Sequence, residues 1–425
     1  MTLPLAQAGG RSGEGPSAPH PSEVAETLAT LRVAHSALAA RSRAEVLATL
    51  SAVVDDWLAP DSPWLARAIE LLPDATGFSA PMIRLALPSM LEPLRAPALD
   101  DLVRREAGGR SGPPVILHVL PGNLPGLAAI PAALSLAVGS TALLKPGRGD
   151  RIFPELFRAS LAARDPHLAA CLAAPYWPGG DRACEDIALT AADLVVAAGD
   201  DATIADLAGR TRGRFIGHGH RISFAVVTAA RAADPASAAT LALDTALWDQ
   251  RGCLSPQLCF VEGDRDAATA FASRVAAELV LLAETLPPAR LELGDRLAIR
   301  RLRDESEWAT FDGERATVFA APDEAAGTVV VEPRPALRPS PLGRSLRVMP
   351  IASCDVLDGL LAPRRGVLEG AGLAAEPARW APLAARLEAS GVHLVSRLGA
   401  MQRPPLDWRQ GGRARLAHWV DADAT

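Results

Sequence analysis

Residues Val115-Ile116-Leu117-His118-Val119-Leu120 are apolar at five of six positions, with no polar alternation. A strand with one wet face alternates, so a run like this reads as a strand buried on both faces, as in a parallel sheet covered by crossover helices. It stops at Pro121-Gly122-Asn123-Leu124-Pro125-Gly126, and an apolar helix follows to about Val138. The pattern then repeats. A strand at Thr141-Ala142-Leu143-Leu144-Lys145 leads to a helix from about Phe153 to Ala163. After a helix over Arg182 to Ala191, the strand Asp193–Ala198 closes on Gly199 and a helix through Leu207. Arg214–Ile216 and Ile222–Val227 read as two further strands. Strand–helix alternation at this spacing predicts an α/β fold with a Rossmann-like parallel sheet. Ligands of such sheets sit beyond the carboxyl ends of the strands, which puts Asn123, Lys145, Gly199 and the turn at His218 on one rim.

Ahead of this sheet, Val24 to Leu58 is helical in pattern, with a capping box at Ser42-Arg43-Ala44-Glu45. Proline-punctuated short helices are expected from Asp61 to Val103. A second α/β unit follows in sequence, with a strand to Glu262, a helix from about Asp266 to Thr285 and strands near 317–319, 328–331 and 345–350. The expected division is a disordered Gly/Ser/Pro-rich tail over 1–22, N-terminal helices with a cofactor-binding domain over 23–242, a catalytic domain over 243–392, and a C-terminal segment over 393–425 that packs back.

Composition excludes several functions. With 425 residues, 49% hydrophobic and 22% charged, the chain is that of a soluble globular protein of more than one domain. A net charge of -6 argues against a nucleic-acid surface. Five cysteines without regular spacing give neither a disulfide framework nor a zinc site, which points to a reducing, cytoplasmic setting and no metal. No apolar run is long enough to span a bilayer. Lys145 is the only lysine among 43 basic residues, which points to a strand end that requires a compact ammonium where a planar guanidinium would not serve.

Near the entry of the second unit lies Trp248-Asp249-Gln250-Arg251-Gly252-Cys253-Leu254-Ser255-Pro256-Gln257. Cys171, Cys184, Cys259 and Cys354 lie in apolar or helical runs and read as buried structural thiols. Cys253 is framed by Gln, Arg, Gly, Ser and Pro on a turn between rigid elements, where Gly252 lets the backbone pass close by and Pro256 ends any helix. Backbone N–H groups beside such a sulfur lower its pKa and hold an oxyanion that forms next to it. A thiolate there suits attack on a thioester or aldehyde carbonyl, with Asn123 as a second oxyanion donor and hydride exchange with a nicotinamide bound in the cleft.

His118–Pro125, Leu143–Pro146 and Trp248–Gln257 together resemble the acyl-CoA reductase family typified by LuxC, a branch of the aldehyde dehydrogenase superfamily. Supporting stretches are Ala75–Ser79, Tyr176–Asp181, Arg221–Val227 and Pro341–Leu346. The resemblance implies an aldehyde dehydrogenase-like fold, an acyl-CoA or other acyl-thioester substrate, NADPH, and a covalent acyl-cysteine leading to an aldehyde. It assigns the nucleophile to Cys253 and the oxyanion donor to Asn123. The cofactor ribose falls to Lys145 with Pro146 beside it, and the pyrophosphate to the backbone at Gly199. It also implies a homo-oligomer and an acyl-transferase or acyl-activating synthetase as partner.

Three departures from the superfamily pattern bear on direction and cofactor. Arg148 stands where NAD-preferring relatives carry an acid, and a cation there suits the 2′-phosphate of NADPH. The segment of the hydrolytic glutamate reads Gly217-His218-Gly219-His220-Arg221 and holds no acid, which disfavours release of a carboxylic acid and favours exchange with a thiol. His218 or His220 is a candidate proton donor to the aldehyde oxygen. The late glutamate that anchors the nicotinamide ribose has no counterpart in Pro341-Leu342-Gly343-Arg344. Two alternatives stay open: a CoA-acylating aldehyde dehydrogenase running oxidatively, and a cofactor-free cysteine acyltransferase or thioesterase.

Overall fold

The computed structural model describes residues 18–311 and 316–420. Most of the expected tail lies outside these residues, but its end does not, because the first helix begins at Pro21. His20 caps it, its side chain accepting from Ser22 N–H while Glu23 reaches back to the cap. The chain divides into two compact units. One comprises residues through Thr76, Leu87–Gly219 and those from Ala414 onward; the other comprises Gly77–Ala86 and His220–Arg413.

In the first part of the chain, helices α1 (Pro21–Ala39), α2 (Arg43–Leu58), α3 (Pro63–Thr76), α4 (Ala80–Leu91) and α5 (Ala96–Glu106) lead to β1 (Val115–Val119). The capping box at Ser42 and Glu45 forms as the sequence predicts. Alternation then runs α6 (Ala129–Ala137), β2 (Thr141–Lys145), α7 (Phe153–Arg164), α8 (Pro166–Ala169), β3 (Leu172–Ala173), α9 (Arg182–Ala191), β4 (Leu194–Ala198), α10 (Asp201–Arg210) and β5 (Arg214–His218). The sheet order is β3-β2-β1-β4-β5, all parallel. The order reverses between β1 and β4, the position at which such sheets open a ligand crevice. Val115, Leu117, Leu143, Val195 and Ala197 point to one face and pack with Val24, Leu28 and Leu31 of α1 and Cys184, Ala188 and Leu189 of α9.

The second unit holds β6 (Ile222–Val227), α11 (Ala229–Ala232), α12 (Pro235–Ala246), β7 (Pro256–Glu262), α13 (Arg265–Thr285), α14 (Leu293–Phe311), β8 (Thr317–Ala320), β9 (Thr328–Val331), β10 (Ser345–Ile351), α15 (Leu357–Leu361), β11 (Leu368–Ala374), α16 (Pro377–Ala389) and β12 (Leu394–Arg397). Its sheet runs β12-β11-β6-β7-β10-β9-β8, parallel except for β8, which pairs antiparallel with β9 at one edge. One face is covered by α12 and α13 through Leu241, Phe271, Val275 and Leu279, and the other by α16 through Leu383 and Leu387.

Two expected boundaries move. Ile222–Val227 pairs with β7 and β11, so the second unit begins at His220 and not at 243. The C-terminal segment is split: β12 extends the second sheet beside β11, whereas the short helix α17 (Ala417–Val420) belongs to the first unit. There Arg214 donates to the carbonyls of His418 and Trp419, and Leu416 N–H donates to Glu106. Helix α14 was not anticipated at all.

Candidate active site

In the first unit, Asn123 follows β1, Lys145 ends β2, Gly199 follows β4 and His218 ends β5. The parallel register sets Val119 beside Lys145 and Ala198 beside His218. These residues therefore share the carboxyl rim, as the alternation predicts. The loops that carry them are knitted together. Gly122 lies so close to the Gly147–Gly149 backbone that a Cβ on it would sit 2.7 Å from Gly149 N. Buried Asp150 accepts from Gly126 N–H and Phe153 N–H, tying the loop of Asn123 to that of Pro146 and Arg148. Burial outweighs those two hydrogen bonds and pushes its carboxyl up to about 7.

A cavity of about 420 Å³ opens beside this rim, between α9 and α10, lined in part by Leu117, Val119, Lys145, Trp177, Gly179 and Gly180. Lys145 is only 7% exposed, and burial draws its ammonium below the ordinary lysine value. Glu185, the acid that acts on it, is already engaged by Arg210 and by Gly180 N–H. The indole Nε1 of Trp177 is buried with no hydrogen-bond partner among the described residues. A buried ammonium and an orphaned donor around an apolar floor fit the ribose and base of a nucleotide, which supplies acceptors and a stackable ring. Of the predicted cofactor residues, Lys145 alone lines this cavity; Arg148 is exposed on its loop. At Gly199 the backbone N–H donates to His218 O, and the next residue, Asp200, caps α10 by accepting from Thr203 N–H. That carboxylate already occupies the helix N-terminus.

His118, one residue before the end of β1, faces the other side of the sheet. Its ring hydrogen-bonds Ser135 (Nε2 to Oγ, 2.9 Å) and lies 5.2 Å from the Trp419 ring. Burial, with a smaller contribution from nearby His218, takes its pKa down to about 3, so it is neutral and structural.

In the second unit, Cys253 is exposed, whereas Cys171, Cys184, Cys259 and Cys354 are buried. Burial raises the pKa of all four: to about 11 for Cys171 and Cys184, about 12 for Cys354, and higher for Cys259. The turn that carries Cys253 sits at the amino end of β7, and Ser255 N–H donates to Gly252 O to close it. Ser223 Oγ donates to the Cys253 carbonyl (2.7 Å) while accepting from Gly370 N–H (3.0 Å), which fixes the cysteine backbone to β6 and β11. A Cβ at Gly370 would meet Leu254 at 2.7 Å.

Beneath the turn the backbone is left-handed at three consecutive residues with side chains, Trp248, Asp249 and Gln250 (φ 55, 47 and 61°). Each costs on the order of 1 kcal/mol and persists only where surroundings over-determine it. Gln250 does so by donating to Pro256 O and Ser345 O and accepting from Ser345 N–H. Asp249 accepts from Ala289 N–H and pairs with Arg344 at 2.6 Å. Trp248 packs edge-on against Phe78. The sequence reading put the conformational burden on Gly252. The structure places it instead on Trp-Asp-Gln at 248–250 and Leu-Gly-Arg at 342–344, of which Trp248, Gln250, Leu342 and Arg344 carry no local signal of left-handed backbone. Arg344 turns inward to Asp249. His220 opens the second unit and is exposed. Among the described residues, no group of His, Cys, Asp or Glu is placed to hold a metal, and no helix is long and apolar enough to cross a membrane.

A doubly wound sheet, a nucleotide-sized cavity at its carboxyl rim and a second sheet presenting an exposed cysteine make up the aldehyde dehydrogenase fold. Solved structures agree. PutA, an aldehyde dehydrogenase from Anabaena variabilis, superposes with a TM-score of 0.69 at 17% identity over 92% of this chain and 87% of that one. An NAD-dependent benzaldehyde dehydrogenase from Corynebacterium glutamicum gives 0.67 at 16% identity, over 92% and 89%. A glyceraldehyde-3-phosphate dehydrogenase from Methanocaldococcus jannaschii, solved with NADP, gives 0.65 at 12%, over 91% and 88%. No curated protein sequence matches. The acyl-CoA reductase (LuxC) family profile matches residues 38–418, and the chain belongs to that family. It is thus an NAD(P)-dependent oxidoreductase acting on an aldehyde or oxo group.

Proposed function

We propose that this protein reduces an acyl-CoA, or another acyl thioester, to an aldehyde with NADPH through an acyl group carried on Cys253. The observation that supports this most is the contrast among the thiols: Cys253 is exposed on a rigid turn, and the other four are buried with raised pKa values. The Cys253 thiolate attacks the thioester carbonyl, the CoA thiolate leaves, and an acyl-cysteine remains. NADPH supplies a hydride to the acyl carbon. The tetrahedral oxyanion that results collapses to the aldehyde and returns the thiolate. The family resemblance assigns that oxyanion to the Asn123 amide and the Cys253 backbone N–H. With NADPH bound, Lys145, with Pro146 beside it, would hold the ribose and Arg148 the 2′-phosphate, and the backbone at Gly199 would meet the pyrophosphate only once its N–H leaves His218 O and Asp200 gives up the helix N-terminus. No acid stands at 217–221 to activate water, so the acyl-cysteine exchanges with a thiol or is reduced. Oxidative formation of acyl-CoA from an aldehyde is the second reading, favoured by the dehydrogenases that share the fold.

The test follows NADPH or NADH consumption and aldehyde formation with acyl-CoAs of graded length. The reverse reaction is run with aldehyde, CoA and NADP⁺. Faster reduction with NADPH, abolished in Cys253→Ala, supports the proposal. Repeated turnover of the thioester without nucleotide, beyond one equivalent of CoA per chain, would instead identify an acyltransferase or thioesterase.

A further inference from the structure

The loop that carries Asn123 is held at three points by the segment that follows β2. At its start Leu120 N–H donates to Lys145 O (2.9 Å), and at its end Gly126 N–H donates to Asp150 Oδ2 (3.2 Å). Between them Gly122 lies against the backbone of 147–149. A Cβ on Gly147 would come 2.3 Å from Gly122 N, and one on Gly149 2.1 Å from Gly122 O. The first two ties are backbone on backbone. The third needs a side chain, and that side chain is an acid.

Asp150 is 5% exposed, and among the described residues no cation acts on its carboxyl. Arg151, next to it, stacks on Tyr176 and donates to Arg148 O instead. A buried acid without a cation is costly, so the bonds it makes must justify it. Capping α7 explains one oxygen: Oδ1 accepts from Phe153 N–H (3.2 Å) in the first turn, where the helix dipole favours negative charge. A serine would do that much. The second oxygen reaches across to Gly126, whose φ of 93° turns the chain out of the Asn123 loop toward α6. Among short side chains a carboxyl is the one with two acceptor atoms for two N–H groups in separate segments. Helix α7 is thus the fixed post, and the Asn123 loop is the part tied to it. We propose that Asp150 is a positioning residue that holds the Asn123 loop so that its amide is in place before the oxyanion forms. This rests on the assignment of the oxyanion to Asn123. A donor of that kind works at full strength when it need not reorient during reaction, and a displacement of roughly 1 Å costs up to about a hundredfold in rate.

A double-mutant cycle on the full chain tests it. Single-turnover acylation is followed as CoA release, without nucleotide, using the fastest of the acyl-CoAs from acetyl to palmitoyl. A loss of folded protein changes the amplitude of that phase and leaves its rate constant alone, so a merely structural role does not move the rate constant. Asp150→Ala should lower it about tenfold or more. Asp150→Asn, of the same shape but with one acceptor atom, should lower it by less, and it carries the cycle if the alanine variant does not fold. Asn123→Ala should lower it about a hundredfold. Adding Asp150→Ala to Asn123→Ala should cost less than about a further twofold, because the group being positioned is gone. Wild-type rate constants in both Asp150 variants, or an equal further loss in the Asn123→Ala background, would overturn the proposal and leave the assignment of Asn123 standing. No CoA release by wild type, or Asn123→Ala acting at the wild-type rate, would overturn that assignment and the proposal with it.

Discussion

Arg344 and Asp249 form a buried ion pair, Nε to Oδ1 at 2.6 Å, that joins two runs of left-handed backbone, Trp248–Gln250 and Leu342–Arg344. Arg344 also donates to Leu286 O, and the second Asp249 oxygen accepts from Ala289 N–H. Three segments, 248–250, 286–289 and 342–344, therefore meet at one pair below the cysteine turn. Replacing one partner leaves the other charge buried and uncompensated, a loss of about 3–5 kcal/mol. Arg344→Met should show this as a fall in denaturation midpoint with an unchanged slope, and the pedestal it loosens should also slow acylation of Cys253.

Alkylation should find one thiol. At pH 8 the four buried cysteines hold little thiolate, since burial has raised their pKa, and their sulfurs are shielded as well. Iodoacetamide followed by mass spectrometry should give one fast adduct on native protein, at Cys253, with the others at least about a hundredfold slower. Cys253→Ala should show no fast phase.

Nucleotide binding and stability should part company at Lys145. Its ammonium is held below its ordinary pKa by burial, so Lys145→Met relieves a desolvation cost and should leave the free protein as stable as before or more so. The same variant should lose most of the thermal shift produced by NADPH. Exposed Arg148 should behave differently. Arg148→Ala should weaken NADPH by about tenfold and leave NADH unchanged, as expected for one charge-assisted contact to a 2′-phosphate. Paired thermal-shift titrations measure both.

Stability should fall as pH rises from 4 to 7. Asp244 on α12 is buried and accepts from Gly399 N–H (2.5 Å) and Met401 N–H (3.1 Å), yet burial pushes its carboxyl up to about 7. The folded chain then keeps a proton that the unfolded chain has released, so the contribution is full below the ordinary carboxyl value and disappears as pH passes 7. It is on the order of 4 kcal/mol over that interval. Urea denaturation from pH 4 to 8 should show this slope, and Asp244→Asn should remove about half of it, because buried Asp150, its carboxyl also pushed up to about 7, slopes the same way.

What the sequence made legible was local. The apolar run at Val115 predicted β1, the repeat after it predicted β2, β4 and β5, and α9 falls on Arg182–Ala191 as the spacing required. Cys253 stood apart from the other cysteines by its polar neighbours alone. What it hid was long-range. Ile222–Val227 has the same apolar pattern whichever sheet it joins, and its pairing with β7 and β11 is decided by residues up to about 150 positions away. Helix α14 was obscured because its outer face mixes leucines with paired charges, which blurs the usual one-sided pattern. The left-handed triplet under Cys253 could not be read from Trp-Asp-Gln, since Trp and Gln ordinarily avoid that backbone region; Gln250, Asp249 and their distant partners make it tenable.

The central claim is that Cys253 carries the acyl group. Intact-mass spectrometry after mixing the protein with acyl-CoAs of graded length, without nucleotide, tests it most directly. A single acyl adduct, mapped to Cys253, cleared by NADPH with release of aldehyde and absent in Cys253→Ala, is the predicted result. An adduct that survives in Cys253→Ala, or aldehyde formed at an undiminished rate by that variant, would contradict it.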